Sequence, residues 1–160
     1  MRWRVVSTPV GDVSLATDGA ALCRVHFGRY EGRPAGSEDP FLIRAAQQLD
    51  EYFAARRTEF DMPLAELGGS EFERAVWAQL AEIPYGEMRT YGEVAKAVGD
   101  PLAARAVGVA CNRNPIAIVL PCHRVVGADG KLVGFGGGLP TKRFLLELEA
   151  RVRVEHDFAL

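Results

Sequence analysis

Asn114-Pro115-Ile116-Ala117-Ile118-Val119-Leu120-Pro121-Cys122-His123-Arg124-Val125-Val126 joins an apolar run to a cluster of chemically capable side chains. The run Ile116 to Leu120 reads as a strand buried on both faces, because it is short, β-branched and uninterrupted by polar residues. It delivers a thiol, an imidazole and a guanidinium to its end. A cysteine attacks as the thiolate, and a free thiol titrates near pH ~8.5, so Cys122 needs help from its surroundings. Along a strand, Cys122 and His123 point to opposite faces, and a direct contact requires the chain to break at Pro121. Taken alone, the dipeptide leaves a second reading open, in which Cys122 is a small core residue like most free cysteines.

Outward from this stretch, the chain has 160 residues, enough for one ordinary domain or two small ones. Its 48% hydrophobic and 25% charged residues predict a soluble globular protein. No apolar run reaches membrane-spanning length and Met1-Arg2-Trp3-Arg4 lacks a signal-peptide core, so the cytoplasm is the expected location, with no membrane partner. Three cysteines without paired spacing argue against a disulfide framework. Net charge is −2, yet from Pro101 to Ala128 the chain carries Arg105, Arg113 and Arg124 and no acid. Such a stretch suits phosphates, although three charges make a small patch.

The first third reads as a scaffold: strands Trp3–Thr8, Val13–Thr17 and Ala21–Phe27, with Asp18-Gly19 as a hairpin turn. Asp39 as N-cap and Pro40 at the first helical position open a helix to about Arg56, with Leu42, Ala45, Ala46, Leu49, Tyr52 and Phe53 at helical spacing. A short strand is expected around Glu59–Met62. Cys23 and His26 face opposite sides of their strand and have no further ligands, so packing is preferred to zinc and no metal is expected. Pro63–Gly69 is a connector.

Ser70-Glu71-Phe72-Glu73 and Thr90-Tyr91-Gly92-Glu93 are two capping boxes. The first opens a helix through Val76, Trp77 and Leu80; the second opens a short helix to about Val98. Gly99-Asp100-Pro101 then turns into a helix from Leu102 to about Cys111. The pair reads either as a helix-turn-helix or as an ordinary αα-hairpin. Ala103, Ala104, Ala106, Gly108, Val109 and Ala110 make the second helix slim, with Arg105 as its one long cation. That fits a minor groove entered by a single side chain, and it equally fits tight packing against protein. A transcription regulator would need base-reading side chains on this helix, which are missing. Leu132 to Leu139 is glycine-dense but has no following Gly-Lys-Ser/Thr, so it is not a phosphate cradle. Pro140 starts a last helix, Thr141 to about Ala150, and the tail from Val152 carries no readable pattern and is expected to be partly disordered.

Pro121-Cys122-His123-Arg124-Val125-Val126 resembles the active-site motif of the O6-alkylguanine-DNA alkyltransferases, also called methylated-DNA–protein-cysteine methyltransferases. The resemblance runs from Phe72 to Glu149, through Tyr91, Ala104-Arg105-Ala106-Val107-Gly108, Asn114-Pro115 and the glycine run near Phe135. It implies a mixed α/β (α+β) fold. A small antiparallel-sheet domain with a helix (1–66) precedes a mainly helical domain (67–160) that holds a helix-turn-helix and the active-site strand. It further implies a single-turnover transfer of the alkyl group of O6-alkylguanine, and of O4-alkylthymine, to Cys122. His123, Glu149, Asn114 and Tyr91 are the implied catalytic partners, and Pro121, Val125, Phe135, Gly136 and Gly137 the implied base pocket. Thr90, Tyr91, Ala104, Arg105, Ala106, Gly108, Arg113 and Arg124 are the implied DNA contacts. The implied partner is double-stranded DNA met by a monomer, with no cofactor and no obligate protein partner. The alternative within the superfamily is a non-catalytic protein that binds alkylated DNA and recruits other repair factors. Phe135 and Gly136 replace a Tyr and a Ser of some relatives, which removes hydroxyl contacts to the base.

Overall fold

A computed structural model describes residues 1–158. The chain forms two compact units, residues 1–67 with 115–119, and residues 68–114 with 120 onward.

In the first unit, β1 (Arg2–Thr8), β2 (Gly11–Thr17) and β3 (Leu22–Phe27) form an antiparallel sheet in the order β1-β2-β3. Val13, Leu15, Leu22 and Val25 are buried on one face of the sheet, a register shift at Ala16/Thr17 keeping Leu22 and Val25 on the same side, and Trp3, paired with Ala16, is buried on the other. The β2–β3 turn is held by Asp18, whose Oδ1 accepts from the N–H groups of Ala20 and Ala21 at 2.8 and 3.0 Å. Helix α1 (Pro40–Phe53) packs on β1 and β2. Asp39 caps it by accepting from Phe41 N–H at 2.8 Å, and Leu42, Ala45, Ala46, Leu49 and Tyr52 are its buried face. The strand expected at Glu59–Met62 is absent. Gln48 instead holds Asp61 by two backbone hydrogen bonds, and one bridge pairs Leu64 with Leu22.

In the apolar run Ile116 to Leu120 all but the half-buried Val119 are buried, yet the run is not a strand. Ile116 alone makes a bridge, to Val25, with Val25 N–H donating to Pro115 O and Ala117 N–H to Val25 O. The chain then turns: Val119 N–H donates to Ala117 O at 2.7 Å, and Ile118 has φ 69°, left-handed geometry that a β-branched residue rarely adopts. Pro115 and Pro121 bracket the run and lack the N–H groups a continued ladder would need. A continuous apolar stretch therefore fills a core as a turn.

The second unit contains α2 (Glu71–Ala81), β4 (Arg89–Thr90), α3 (Tyr91–Ala97), α4 (Ala104–Asn112), β5 (Val125–Val126) and α5 (Leu139–Phe158). Both capping boxes form, Ser70 with Glu73 and Thr90 with Glu93. Ser70→Ala should therefore destabilise the protein by about 1 kcal/mol, read as a lower urea midpoint at unchanged m-value. Strands β4 and β5 pair in parallel, Arg89 with Val125 and Thr90 with Val126. Trp77 Nε1 donates to Ala110 O at 2.9 Å and ties α2 to α4. Val76, Leu80, Val94, Val107, Val125, Leu145 and Leu148 complete the core.

Helix α5 runs well past the Ala150 expected for its end, so the stretch from Val152 to Phe158 is ordered helix rather than disordered tail. The reason is local pairing. Arg153 reaches Glu87 at 3.6 Å and Asp157, one turn on, at 4.0 Å, and donates to Gly86 O. Residues 159 and 160 lie outside the described residues. Among the described residues no helix is long and apolar enough to cross a membrane, and no group of three or more His, Cys, Asp or Glu is placed to hold a metal ion.

Candidate active site

Pro121 takes the chain out of extended geometry (φ −80°, ψ 68°), and Cys122–Arg124 form one 3-10 turn closed by Arg124 N–H donating to Pro121 O at 3.0 Å. The chain thus breaks where a strand would have separated neighbouring side chains. All three side chains of this turn are buried. Asn114, at the end of α4, donates from Nδ2 to Leu120 O at 2.8 Å, clamping the chain just before the turn. Its side chain also hydrogen-bonds Cys122.

Burial pushes the Cys122 thiol up, against the Asn114 hydrogen bond, the Lys142 charge and nearby backbone N–H groups. At neutral pH Cys122 is a thiol, so its attack requires a base. His123 is fully buried, with Nε2 at 2.7 Å from Glu149 Oε2. A carboxylate only accepts, so Nε2 carries the ring proton and Nδ1 keeps its lone pair. That Nδ1 is buried and meets no hydrogen-bond partner among the described residues. Burial lowers the pKa of His123, and Glu149 only partly opposes this, so the ring is neutral and able to accept a proton.

Glu149, late in α5, is 1% exposed. It accepts hydrogen bonds from His123, from Arg124 Nε (2.7 Å to Oε1), from Arg124 Nη2 (3.1 Å to Oε2) and from Gly86 N–H (3.3 Å). Burial alone would raise its pKa, but the hydrogen bond from His123 and the hydrogen bonds and charge of Arg124 hold the carboxyl well below the usual range. Arg124, expected at the DNA, is only 7% exposed and spends its guanidinium on Glu149 and on Ile83 O (2.7 Å).

Tyr91, the first residue of α3, donates its hydroxyl to Val133 O (3.2 Å) in the glycine-rich segment. The same hydroxyl accepts from Lys142 Nζ at 3.3 Å. Burial pushes Tyr91 up to about 12, so it remains a hydroxyl donor at neutral pH. Lys142 Nζ also donates to Val133 O and lies 5.5 and 5.7 Å from the ring centroids of Tyr91 and Phe135. Sequence reasoning missed Lys142. The signal was available: 142, 145 and 149 fall on one helical face, and a lysine beside Leu145 and Glu149 on the inward stripe has to be paired. Cys111 is a second buried thiol, pushed by burial up to about 12.

The other expected residues fall into separate places. Ala104, Arg105 and Gly108 line a groove of about 440 Å³ with Tyr91, Val109, Asn112, Val133 and Gly134. A methyl group at Gly108 would sit 3.8 Å from the Tyr91 ring, so the slim face of α4 adjoins that ring. Arg105 and Ala106 are exposed. Arg113 is also exposed and lies 3.7 Å from Glu73. Thr90 uses its hydroxyl to cap α3. Pro121 and Val125 are buried, Phe135 is half-buried and accepts from Gly138 N–H, and Gly136 and Gly137 follow it in the loop. A side chain at Gly136 would meet nothing within 4 Å.

Residues 1–65 match the family described as 6-O-methylguanine DNA methyltransferase, ribonuclease-like domain, and residues 71–151 match its DNA binding domain. The chain is 49% identical over 154 residues to the methylated-DNA–protein-cysteine methyltransferase of Methanosarcina acetivorans, covering 93% of this chain and 98% of that one. It is 47% identical over 164 residues to the protein of that name from Mycobacterium tuberculosis, covering 100% and 98%. Among solved structures it is similar to Mycobacterium tuberculosis OGT in complex with DNA, with a TM-score of 0.86 at 47% identity, covering 95% of this chain and 94% of that one.

Proposed function

Because the chain belongs to the 6-O-methylguanine DNA methyltransferase family, we propose that it repairs DNA as a methylated-DNA–protein-cysteine methyltransferase, with Cys122 as the acceptor. The observation that carries the assignment of Cys122 is the set behind it, a neutral buried His123 with a bare Nδ1 and a Glu149 held ionised on the opposite ring nitrogen. This is the nucleophile–base–orienter logic of other thiol and hydroxyl catalysts.

The reaction proceeds in four steps. Duplex DNA lies along α3 and α4 at the minor groove. Arg105, exposed on the slim helix, takes the place of the extruded nucleotide, and Tyr91 crowds the target phosphate; extrusion is required because the alkylated oxygen is unreachable inside the stack. The base then sits against Pro121, Val125, Phe135, Gly136 and Gly137, with Phe135 stacking and backbone groups supplying the hydrogen bonds that Gly136 lacks. Finally His123 Nδ1 accepts the thiol proton, directly or through a water. The thiolate attacks the alkyl carbon in line as the carbon–O6 bond breaks, and the electron pair passes to the guanine, stabilised by the Tyr91 hydroxyl or a backbone N–H.

The product is a thioether, which no step here can cleave, so each molecule acts once, and as a monomer. The lesion itself is the donor, and O4-alkylthymine presents the same reacting atoms. Intact-protein mass after incubation with an O6-methylguanine duplex tests this. Wild type should gain one methylene, saturating at one per chain, and Cys122→Ser should gain none. Lesion binding without any mass gain would transfer the protein to the damage-recognition class.

A further inference from the structure

Arg124 is bound on three sides. Its Nε and Nη2 form a fork on Glu149 at 2.7 and 3.1 Å, its Nη1 donates to Ile83 O at 2.7 Å, and its guanidinium lies 5.6 Å from the Tyr85 ring centroid. Glu149 Oε2 is shared between this fork and His123 Nε2. A lone buried carboxylate 2.7 Å from an imidazole has two outcomes that both disable the pair. It draws a proton onto the ring, which then cannot accept one from the thiol, or it becomes protonated and stops orienting the ring. A bidentate guanidinium removes both outcomes, because it keeps the carboxylate ionised and cancels its charge.

We propose that Arg124 is a positioning residue of the transfer site, fixing Glu149 and balancing its charge so that Glu149 orients His123 without drawing a proton onto it. The inference rests on the reading of His123 as the base for Cys122. The charged groups acting on His123 are Glu149 and Lys142 from α5, and Arg124 from its own turn. Burial is the main influence keeping the ring neutral; Glu149 opposes it, and the charges of Arg124 and Lys142 reinforce it. Arg124 is the only one of these cations that contacts Glu149 directly among the described residues.

The test is the pH profile of single-turnover methyl transfer from an O6-methylguanine duplex, paired with an NMR titration of the His123 ring. Arg124→Gln should move the acid limb of the rate, and the His123 titration, upward by about one pH unit or more, with activity partly regained as pH rises. Arg124→Lys keeps the charge but not the fork, and should leave the limb near its wild-type position while lowering the plateau. Should Arg124→Gln fail to fold, Glu149→Gln and the double variant Arg124→Gln/Glu149→Gln, which bury no unpaired carboxylate, still decide. The double variant should titrate higher than Glu149→Gln alone. For Arg124→Gln, a plateau loss with limb and titration unmoved, or identical titration of Glu149→Gln and the double variant, would overturn the proposal and leave Arg124 a packing residue. If wild type transfers no methyl group, the assignment of Cys122 fails instead, and the ring titration still reports on Arg124.

Discussion

Glu149→Ala should destabilise the protein by about 3–5 kcal/mol and abolish alkyl transfer at neutral pH. The size of the effect comes from what stays behind. Arg124 would remain buried with one carbonyl partner, Gly86 N–H would lose its acceptor, and His123 would be free to rotate. A buried ion pair contributes little net stability when intact, but removing one partner exposes the desolvation penalty of the other. Urea unfolding gives the stability change, and a loss under about 1 kcal/mol would mean that Arg124 finds water or another acceptor.

The same network predicts acid lability. Glu149 has a depressed folded pKa, so it contributes stability above its unfolded value near ~4.3 that is lost as pH falls below that value. His123 has a lowered folded pKa too. Between that value and the unfolded ~6.5 the unfolded chain binds the extra proton, so stability again declines as pH falls. Wild-type stability should therefore drop in two stages from about pH 6.5 downward, and His123→Gln should remove the first stage.

Arg105→Ala should reduce repair of O6-methylguanine in duplex DNA by roughly 100-fold, equivalent to about 2.7 kcal/mol, while changing the reaction with the free base less than about twofold. Arg105 is exposed at the second position of α4, on the rim of the groove beside Tyr91, and alanine is a good helix former there. The substitution therefore removes a side chain without disturbing the fold. Extruding a base requires a few kcal/mol of unstacking, which a side chain that occupies the gap offsets. Rate constants on the two substrates separate that role from chemistry at Cys122. Equal losses on both would eliminate Arg105 from base extrusion.

Much of this was legible in the chain. Asp39, Ser70 and Thr90 cap the helices their side chains predict, because an N-cap is a bond between near neighbours in sequence. The β2–β3 turn at Asp18-Gly19 and the buried faces of α1 and α2 follow from equally local rules. The roles of Cys122, His123 and Glu149 are implied by the family resemblance, and the structure brings His123 and Glu149 to 2.7 Å. The run Ile116 to Leu120 shows where local reading ends. Its hydrophobicity fixed its burial but not its shape, since a buried strand and a buried turn bury the same side chains and differ only in where the backbone hydrogen bonds go.

Local pattern and family resemblance suffice for the mixed fold, for the approximate helix starts and for the types of residue available to the chemistry. Which charges are solvated and which are buried follows from how distant segments pack together. Arg124 reads as a phosphate contact until Glu149, 25 positions on, and Ile83, 41 positions back, are seen to enclose it. Lys142 has no role in the sequence reading, and its partner Tyr91, whose hydroxyl accepts from it, lies 51 positions away. The physical reason is that capping and periodicity depend on neighbours a few residues apart. The protonation state and reach of a charged side chain depend instead on desolvation and on partners that folding gathers from distant parts of the chain.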